Sequence, residues 1–216
     1  MKQTTSAFLT QQIKDAIIGG SYGEGSQLKQ DDIAKVFGVS KIPIREALVQ
    51  LESEGFVTSY PGRGVFVSRL SAEDARELYL LRIACEPVLL ENALKNANAM
   101  MFARADSYLS ALSVENLTPT EWHRFDREFH SSLYSTAGLP RIEHLVRSTH
   151  DNLARYFLIY ESLGKNFHQV KDEEHAQLLS FAKHGDVDAA VSVLLAHLKT
   201  AFAELGNALK ERAHDK

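Results

Sequence analysis

Apolar residues recur at helical spacing along most of the chain, and glycines mark the ends of the periodic runs. The pattern predicts a first helix over Thr5–Ile18, with Phe8 on its apolar side, and two short helices within residues 31–56. Gly38 suits the left-handed backbone that ends a helix, and Ser40 can cap the next helix with its hydroxyl. Two helices around so short a turn predict a helix-turn-helix, whose second helix enters a DNA major groove.

Strand-like alternation follows directly after the second of these short helices. Residues 56–60 and 65–67 predict two strands around the turn Pro61-Gly62-Arg63-Gly64. A hairpin in this position is a wing, and Arg63 between two glycines can reach a phosphate or the minor groove. The alternation stops at Leu70-Ser71, which predicts one domain over residues 1–70 and a second over residues 71–216.

From Ser71 onward the pattern is helical throughout. Amphipathic helices with short connections predict an antiparallel bundle of about six helices. The chain is therefore expected to be mainly α, with an N-terminal winged helix-turn-helix of three helices and a two-stranded wing before the all-α bundle. The helices of the bundle are predicted over residues 72–95, 99–113, 119–136, 140–163, 168–184 and 187–213, with one of the breaks at Gly164.

Composition and charge modify this picture in one respect. A hydrophobic content of 44% is ordinary for a soluble protein, no apolar run is expected to reach membrane-spanning length, and no signal peptide is evident, which favours the cytoplasm. The net charge is −4, yet residues 1–70 hold eight Lys or Arg against seven Asp or Glu. Any affinity for DNA must therefore rest on a local basic patch and on two copies binding together.

A local basic patch is predicted at the start of the second short helix. Lys41 and Arg45 are four residues apart, so they share a face that lies opposite the apolar stripe. Residues at the N-terminus of a recognition helix reach base edges, and arginine can bind guanine with two hydrogen bonds. The alternative is an ordinary helical hairpin with two solvated cations.

Histidines and one aspartate suggest a site inside the helical domain. Asp126 and His130 lie four apart beside an apolar stripe, and they can either chelate a metal ion or bond each other. His175 and His197 fall on apolar faces of later helices, where an unpaired imidazole would be costly. Imidazoles with a carboxylate are typical ligands of transition metals. The remaining histidines are expected to be solvated: His123, His144, His150, His168, His184 and His214.

Arg82 stands in an otherwise apolar run of the first bundle helix. A buried cation must be paired, and a two-pronged hydrogen bond to a carboxylate is a natural use of arginine. A structural salt bridge to Glu86, four residues on, is an equally good interpretation.

Three segments of the N-terminal domain carry a family pattern: GVSKIPIREAL from Gly38, LESEGFV from Leu51, and the wing tip. They resemble the DNA-binding domain of GntR-type bacterial transcription regulators, with the usual forms GVSRTPVREAL, LExEGLV and RGxxV. The resemblance implies a winged helix-turn-helix that binds two-fold symmetric operators as a homodimer. By position, it implies DNA contacts by Lys41, Arg45, Gly62, Arg63 and Gly64. Lys41 replaces the usual arginine, and Asp31 stands where many relatives are basic.

The helical part contains the segments FDREFH, EEHAQLL and LLAHL. They resemble the metal-binding subset of the FCD domain in the FadR group of GntR regulators, in its shorter six-helix variant. The resemblance implies a divalent transition metal, such as Zn²⁺ or Ni²⁺, held by Asp126, His130, His175 and His197. It also implies that Arg82 contacts a small organic acid effector.

Together these expectations describe a DNA-binding transcription regulator, not an enzyme, whose operator affinity follows a carboxylate bound at a metal site. Three alternatives remain: the metal ion is itself the signal, the site is purely structural, or the metal activates water in a hydrolase. Glu174 is the nearest candidate for a general base in such a hydrolase, but on a helix it points about 100° away from His175.

Overall fold

Helix dominates the chain, as the hydrophobic spacing predicts. The computed structural model describes residues 5–162 and 169–214. The chain divides into two compact units, Met1–Leu70 and Ser71–Lys216. The predicted break at Gly164, His168 and the side chain of His214 lie outside the described part.

The N-terminal unit combines three helices with a three-stranded antiparallel sheet of order β1-β3-β2. Its elements are α1 (Thr5–Ile18), β1 (Gln27–Leu28), α2 (Gln30–Phe37), α3 (Lys41–Ser53), β2 (Val57–Tyr60) and β3 (Gly64–Val67). The predicted two-stranded wing is confirmed as β2 and β3. A third strand that was not predicted, β1, pairs with β3 through Gln27 and Leu28. A strand of two residues is too short to show alternation in a sequence.

Apolar side chains of all three helices and the sheet form the core of this unit. Leu9, Ile13 and Ile17 of α1 are buried at four-residue intervals and share one face. The prediction that Phe8 lies on that face is wrong: its side chain is 48% exposed, since it sits about 100° around the helix from Leu9.

The turn between α2 and α3 has the predicted backbone but lacks one predicted hydrogen bond. Gly38 adopts the left-handed conformation with φ of 64° and ends α2. Ser40 occupies the N-cap position of α3 in extended conformation, yet its side chain makes no capping bond. The third helical residue is Pro43, which has no N–H to offer to the hydroxyl, and this accounts for the missing cap.

The second unit is all helix in the described residues. Its helices are α4 (Ala72–Lys95), α5 (Ala99–Leu112), α6 (Pro119–Tyr134), α7 (Pro140–Ser162), α8 (Gln169–His184) and α9 (Val187–His214). Each described boundary agrees with its prediction to within two residues. Thr118 and Glu121 form a reciprocal capping box at the start of α6. The capping box fixes the residue at which α6 begins.

Helix α9 corrects one expectation about membranes. Its segment Val187–Arg212 is long and apolar enough to span a bilayer by length and composition, with a mean hydropathy of 1.3. A core helix of a soluble protein passes the same test, and α9 contributes Leu194 and Leu198 to the core of the helical unit. The segment is therefore weak evidence for a membrane span.

Candidate metal centre and nucleic-acid interface

Three helices of the second unit bring the four predicted ligands together. Asp126 and His130 come from α6, His175 from α8 and His197 from α9, and all four are buried. One ligand atom from each residue can be chosen so that all four lie within 4.8 Å of one another. The four-residue spacing on α6 stacks its two side chains on one face, and the neighbouring helices supply the others.

Three imidazole nitrogens at this centre lack hydrogen bonds, namely His130 Nε2 and both ring nitrogens of His175. His175 Nε2 lies 3.1 Å from Asp126 Oδ1, and His130 Nε2 lies 3.7 Å from the same oxygen. Neither nitrogen forms a hydrogen bond of acceptable geometry, and both are shielded from solvent. An unpaired buried polar atom is costly, so these two nitrogens point to a ligand between them.

His197 is oriented by a carboxylate. Its Nδ1 lies 2.7 Å from Glu174 Oε2. An ionised carboxylate only accepts hydrogen bonds, so Nδ1 carries the proton and Nε2 carries the lone pair. A carboxylate that fixes the tautomer of a histidine is the usual support of a metal-binding imidazole. Glu174, considered above as a general base, is thus engaged with His197.

The donor set fits a divalent transition metal. Three imidazoles and one carboxylate are ligand types that Zn²⁺ and Ni²⁺ accept. Burial keeps the pKa of His130 well below its usual range, which favours the neutral form that a metal requires. Burial alone would raise the pKa of Asp126. The neighbouring His175 and His130 lower this pKa by more than burial raises it, so it lies well below its usual range.

Arg82 is buried in a polar cluster centred on Glu86. Its Nε lies 2.5 Å from Glu86 Oε1, so the salt bridge considered above is present. Tyr134 donates its hydroxyl to Glu86 Oε2 at 2.6 Å, and His150 Nε2 lies 3.2 Å from Glu86 Oε1. On the guanidinium, Nη2 is buried without a hydrogen-bond partner, so one donor remains for another oxygen.

The charges of the pair Arg82 and Glu86 support each other. Burial alone would raise the pKa of Glu86, but Arg82 and His150 hold it well below its usual range. Burial alone would lower the pKa of Arg82, but Glu86 and Tyr79 raise it above its usual value. Both residues are therefore ionised. The cluster adjoins the four predicted metal ligands, because His130 Nδ1 lies 3.9 Å from Glu86 Oε2.

Two histidines that were expected to be solvated are buried, which corrects the prediction. His150 is 2% exposed because α7 places it against Glu86 of α4, a contact that no single-helix pattern reveals. His123 is 5% exposed and packs on Phe157, with ring centroids 4.8 Å apart. Burial lowers the pKa of His123 to about 3. His144 and His184 are exposed, as predicted.

The predicted DNA contacts of α3 lie on the surface of the first unit. Lys41 and Arg45 are both exposed. Lys41 Nζ pairs with Asp31 Oδ1 at 2.6 Å, so the two departures from the family pattern contact each other. Sequence reasoning missed Ile42, whose side chain is 70% exposed next to Lys41 and can contact a thymine methyl group.

The wing tip is held against β1. Gln27 Nε2 donates to the carbonyl oxygen of Arg63 at 2.8 Å, while the Arg63 side chain is exposed. Gly64 has φ of 104°, and a Cβ there would lie 2.8 Å from Gln27 Nε2. The backbone conformation favours glycine at Gly64, whereas the close approach requires only that the end of the flexible Gln27 side chain shift.

A winged helix-turn-helix joined to an all-helical domain with a buried polar centre defines a DNA-binding transcription regulator. Residues 5–67 match the model of the gntR family of bacterial regulatory proteins, and residues 77–200 match the FCD domain. The chain belongs to the GntR family and carries an FCD domain.

Proteins that align with this chain over most of both lengths are transcription regulators, not enzymes. The HTH-type transcriptional regulator YdhC of Bacillus subtilis is 27% identical over 93% of this chain and 90% of its own. A GntR regulator from Rhodococcus sp. RHA1 has a TM-score of 0.78 at 27% identity, covering 94% of this chain and 98% of that one. A GntR family member from Pseudomonas syringae is 31% identical, with a TM-score of 0.61 over 98% and 89% of the two chains.

Proposed function

We propose that this GntR-family regulator releases or binds its operator in response to a small carboxylate held beside a metal ion in the helical domain. One observation carries the proposal. Ligand atoms of four buried residues lie within 4.8 Å of one another, and three of their imidazole nitrogens lack hydrogen-bond partners. Buried polar atoms without a partner are uncommon, so unpaired nitrogens among these four residues support a bound ion.

On the DNA side, Arg45 would read a guanine in the major groove, and Lys41 would contact a phosphate or base after leaving Asp31. Because Lys41 and Asp31 are each 63% exposed, this exchange costs little. Gly62, Arg63 and Gly64 would form the wing tip that reaches the minor groove or its phosphates. The positive charges that would contact DNA thus form a small patch on an N-terminal unit whose net charge is nearly zero.

In the helical domain, Asp126, His130, His175 and His197 would hold Zn²⁺, Ni²⁺ or a similar ion. The ion would supply a Lewis acid that binds a carboxylate oxygen of the effector. Arg82, which has a buried and unpartnered Nη2, would donate to a second oxygen of the same carboxylate. Glu86 keeps the Arg82 side chain in place for that contact.

The regulator would act as a homodimer in the cytoplasm, on an operator with two-fold symmetry. Two copies of a weakly charged DNA-binding unit bind far more tightly when they are joined than either binds alone. Winged helix dimers of this kind read half-sites spaced by about 34 Å, so a ligand that changes the separation of the units lowers the affinity.

A gel-shift titration at fixed physiological salt tests the whole proposal. Wild-type protein is loaded with Zn²⁺ or stripped with EDTA, and a panel of hydroxy acids, sugar acids and dicarboxylates is added to each preparation. We expect sequence-selective binding of duplex DNA, and we expect one class of acid to change the affinity of the metal-loaded protein only. The Arg82→Gln variant leaves Glu86 buried without its counter-charge, so its folding is first verified by the fluorescence of the single tryptophan, Trp122. The folded variant should still bind DNA and lose the response.

Other outcomes would contradict the proposal in distinct ways. An absence of selective duplex binding removes the operator function. A change in affinity on metal addition alone makes the ion the signal, not an anchor for the acid. An equal response of metal-loaded and metal-stripped protein removes the metal from effector binding.

A further inference from the structure

The middle turns of helix α4 carry an ion pair inside and apolar residues outside. The buried face holds Arg82 and Glu86. The opposite face exposes Leu80, Leu81 and Val88, which are 47%, 39% and 40% accessible. A helix on the surface of a monomeric protein is expected to have the reverse arrangement, with its polar residues towards water. The outer face of α4 is therefore suited to packing against another apolar surface.

The exposed apolar residues form one continuous strip, hereafter the α4 stripe. It consists of Leu80, Leu81, Ala84 and Val88. At about 100° per residue, these four positions fall within a sector about 100° wide that faces away from Arg82. Ala84 lies in the middle of the sector and has the smallest side chain of the four. A second helix can therefore approach α4 closely at Ala84, because the side chains at a contact set the distance between packed helices.

Charged residues continue the same face beyond both ends of the stripe. Glu73 and Glu77 precede it, Glu91 and Lys95 follow it, and all four are exposed. By the same step of about 100° per residue, each of them points within about 20° of the direction of Ala84. A surface that fits this face must therefore be apolar in the middle, with a cation opposite Glu73 and an acid opposite Lys95.

A second copy of α4 meets these requirements when the two helices run antiparallel about a two-fold axis at Ala84. Positions equally far from Ala84 in opposite directions then face each other. Leu80 meets the partner's Val88, since each is four residues away, and Ala84 meets its own copy. Glu73 meets the partner's Lys95, since each is eleven residues away. The stripe is thus complementary to itself in both shape and charge.

The charges favour this orientation over a parallel one. In a parallel pair, Glu73 and Lys95 would each face their own copies, so like charges would oppose each other at both ends. The antiparallel pair leaves one like-charge contact, between Glu77 and the partner's Glu91, and the exposed Arg76 lies beside it. Eleven residues span about 16 Å, over which helices that cross at about 20° diverge by about 6 Å, a gap that a lysine side chain bridges.

We infer that two copies of this chain pair through the α4 stripe, antiparallel about a two-fold axis at Ala84. The inference rests on the homodimer proposed above and adds the surface that forms it. It requires neither the metal ion nor the acid. Burial of the stripe supplies the affinity, and the charges of Glu73 and Lys95 fix the register of the two helices.

Sedimentation of the full chain over a range of concentrations tests the stripe. Ala84→Glu places two carboxylates against each other on the axis, so the dimer dissociation constant should rise by about a hundredfold or more. The control is Met100→Glu, a change from apolar to acidic at a site on α5 that is 67% exposed, and it should leave dimerisation as in wild type. Trp122 fluorescence verifies that both variants are folded.

An exchange of charges tests the register. Glu73→Lys and Lys95→Glu each create two like-charge contacts in the dimer, so each should weaken it by about tenfold. The variant with both changes has opposite charges facing each other again, so its dissociation constant should return close to that of wild type. Glu115→Lys, at an exposed site beyond the end of α5, should leave dimerisation unchanged.

Oxidative cross-linking tests the position of the axis without relying on the affinity. Only a residue at the axis meets its own copy in a two-fold pair. In the Cys85→Ser background, which removes the native cysteine, Ala84→Cys should form a disulfide-linked dimer. Met100→Cys in the same background should stay unlinked. If Ala84→Glu does not fold, this measurement and the exchange of charges decide the question.

The outcomes separate this inference from the homodimer itself. A wild-type protein that stays monomeric at every concentration, with and without operator DNA, overturns both. A dimeric wild type whose folded Ala84→Glu variant remains equally dimeric overturns pairing through the α4 stripe alone. The same conclusion follows if the Ala84→Cys variant fails to cross-link, or if the double charge variant dimerises no better than Glu73→Lys and Lys95→Glu do separately.

Discussion

The two units differ in what they bury. In the part of the chain that the structure describes, the buried polar side chains of the N-terminal unit are Thr10 and Lys14, and Lys14 is paired with Glu54 at 2.5 Å. The helical unit buries five histidines together with charged residues such as Arg82, Glu86 and Asp126. The first unit keeps its candidate functional groups outside an apolar core, whereas the second keeps them inside.

Because of this difference, substitutions at candidate functional residues should leave stability nearly unchanged in the N-terminal unit and should alter it in the helical unit. Exposed residues such as Arg45 can be changed at little cost to folding, because surface substitutions rarely matter for stability. Buried charges must be paired, so a change at the polar centre acts on both the fold and the site. The single tryptophan, Trp122, is buried in the helical unit, so its fluorescence reports the unfolding of that unit alone.

The largest expected effect is that of Glu86→Gln. It leaves Arg82 buried without its counter-charge, which costs about 3–5 kcal/mol when one partner of a buried pair is removed. Urea unfolding followed by Trp122 fluorescence should show the loss. Glu91→Gln, an exposed change on the same helix, should stay within about 0.5 kcal/mol of wild type. A loss below 1 kcal/mol for Glu86→Gln would mean that the polar interior does not constrain the fold.

Much of the fold was predictable because its signals are local. The period of apolar residues gave each described helix to within two residues, and Gly38 marked the turn before α3. The strand β1 was missed because its two residues carry no pattern. Spacing suggested the pair Asp126 and His130 on α6, and positions on apolar helix faces added His175 and His197 as candidates. The family resemblance then implied that all four hold one metal ion.

The misses in the helical unit have a shared physical cause. His150 of α7 and Tyr134 of α6 meet Glu86 of α4 only because the three helices pack together. The Arg82–Glu86 pair lies within α4, and its spacing was visible in the sequence. The periodicity of one helix shows which face is buried, but it does not show which polar residue lies opposite on a neighbouring helix. His123 and His150 were therefore assigned to solvent from patterns that hold only for an isolated helix.

The next largest effect concerns the metal. A ligand present at one hundred times its dissociation constant stabilises the folded state by about 2.7 kcal/mol. We expect Zn²⁺ to raise the melting temperature of wild-type protein, read from Trp122 fluorescence, and to have no such effect on His175→Ala. The matched control is His184→Ala, an exposed histidine of α8, which should gain as much as wild type. Equal gains in both variants would contradict the site.

A smaller effect on selective DNA affinity is expected from substitution of Arg45, an exposed residue of the N-terminal unit. A bidentate contact with guanine contributes about 1–3 kcal/mol of discrimination, so Arg45→Ala should lose roughly tenfold or more in selective affinity. Arg45→Lys keeps the charge and should retain non-selective binding while losing selectivity. Both variants should unfold like wild type, and unchanged selectivity in both would exclude Arg45 from base reading.

The smallest effect is a dependence of stability on pH in the metal-free protein. Burial lowers the pKa of His123 to about 3, whereas an unfolded histidine titrates near 6.5. Between these values the unfolded chain binds one more proton, so stability falls as the pH falls, by about 1 kcal/mol from pH 6.5 to pH 5.5 for each such histidine. Asp126, with a lowered pKa, loses its contribution only below about pH 4 and stays outside this window.

Urea unfolding in EDTA at the two pH values measures this dependence. His123→Phe keeps an aromatic ring beside Phe157 and removes the titrating group, so the loss between pH 6.5 and pH 5.5 should shrink by about 1 kcal/mol. His144→Gln, at an exposed site on α7, should leave the loss as it is in wild type. If His123→Phe and wild type lose the same stability between pH 6.5 and pH 5.5, His123 is not held neutral in the folded state. Burial would then not prevent its protonation.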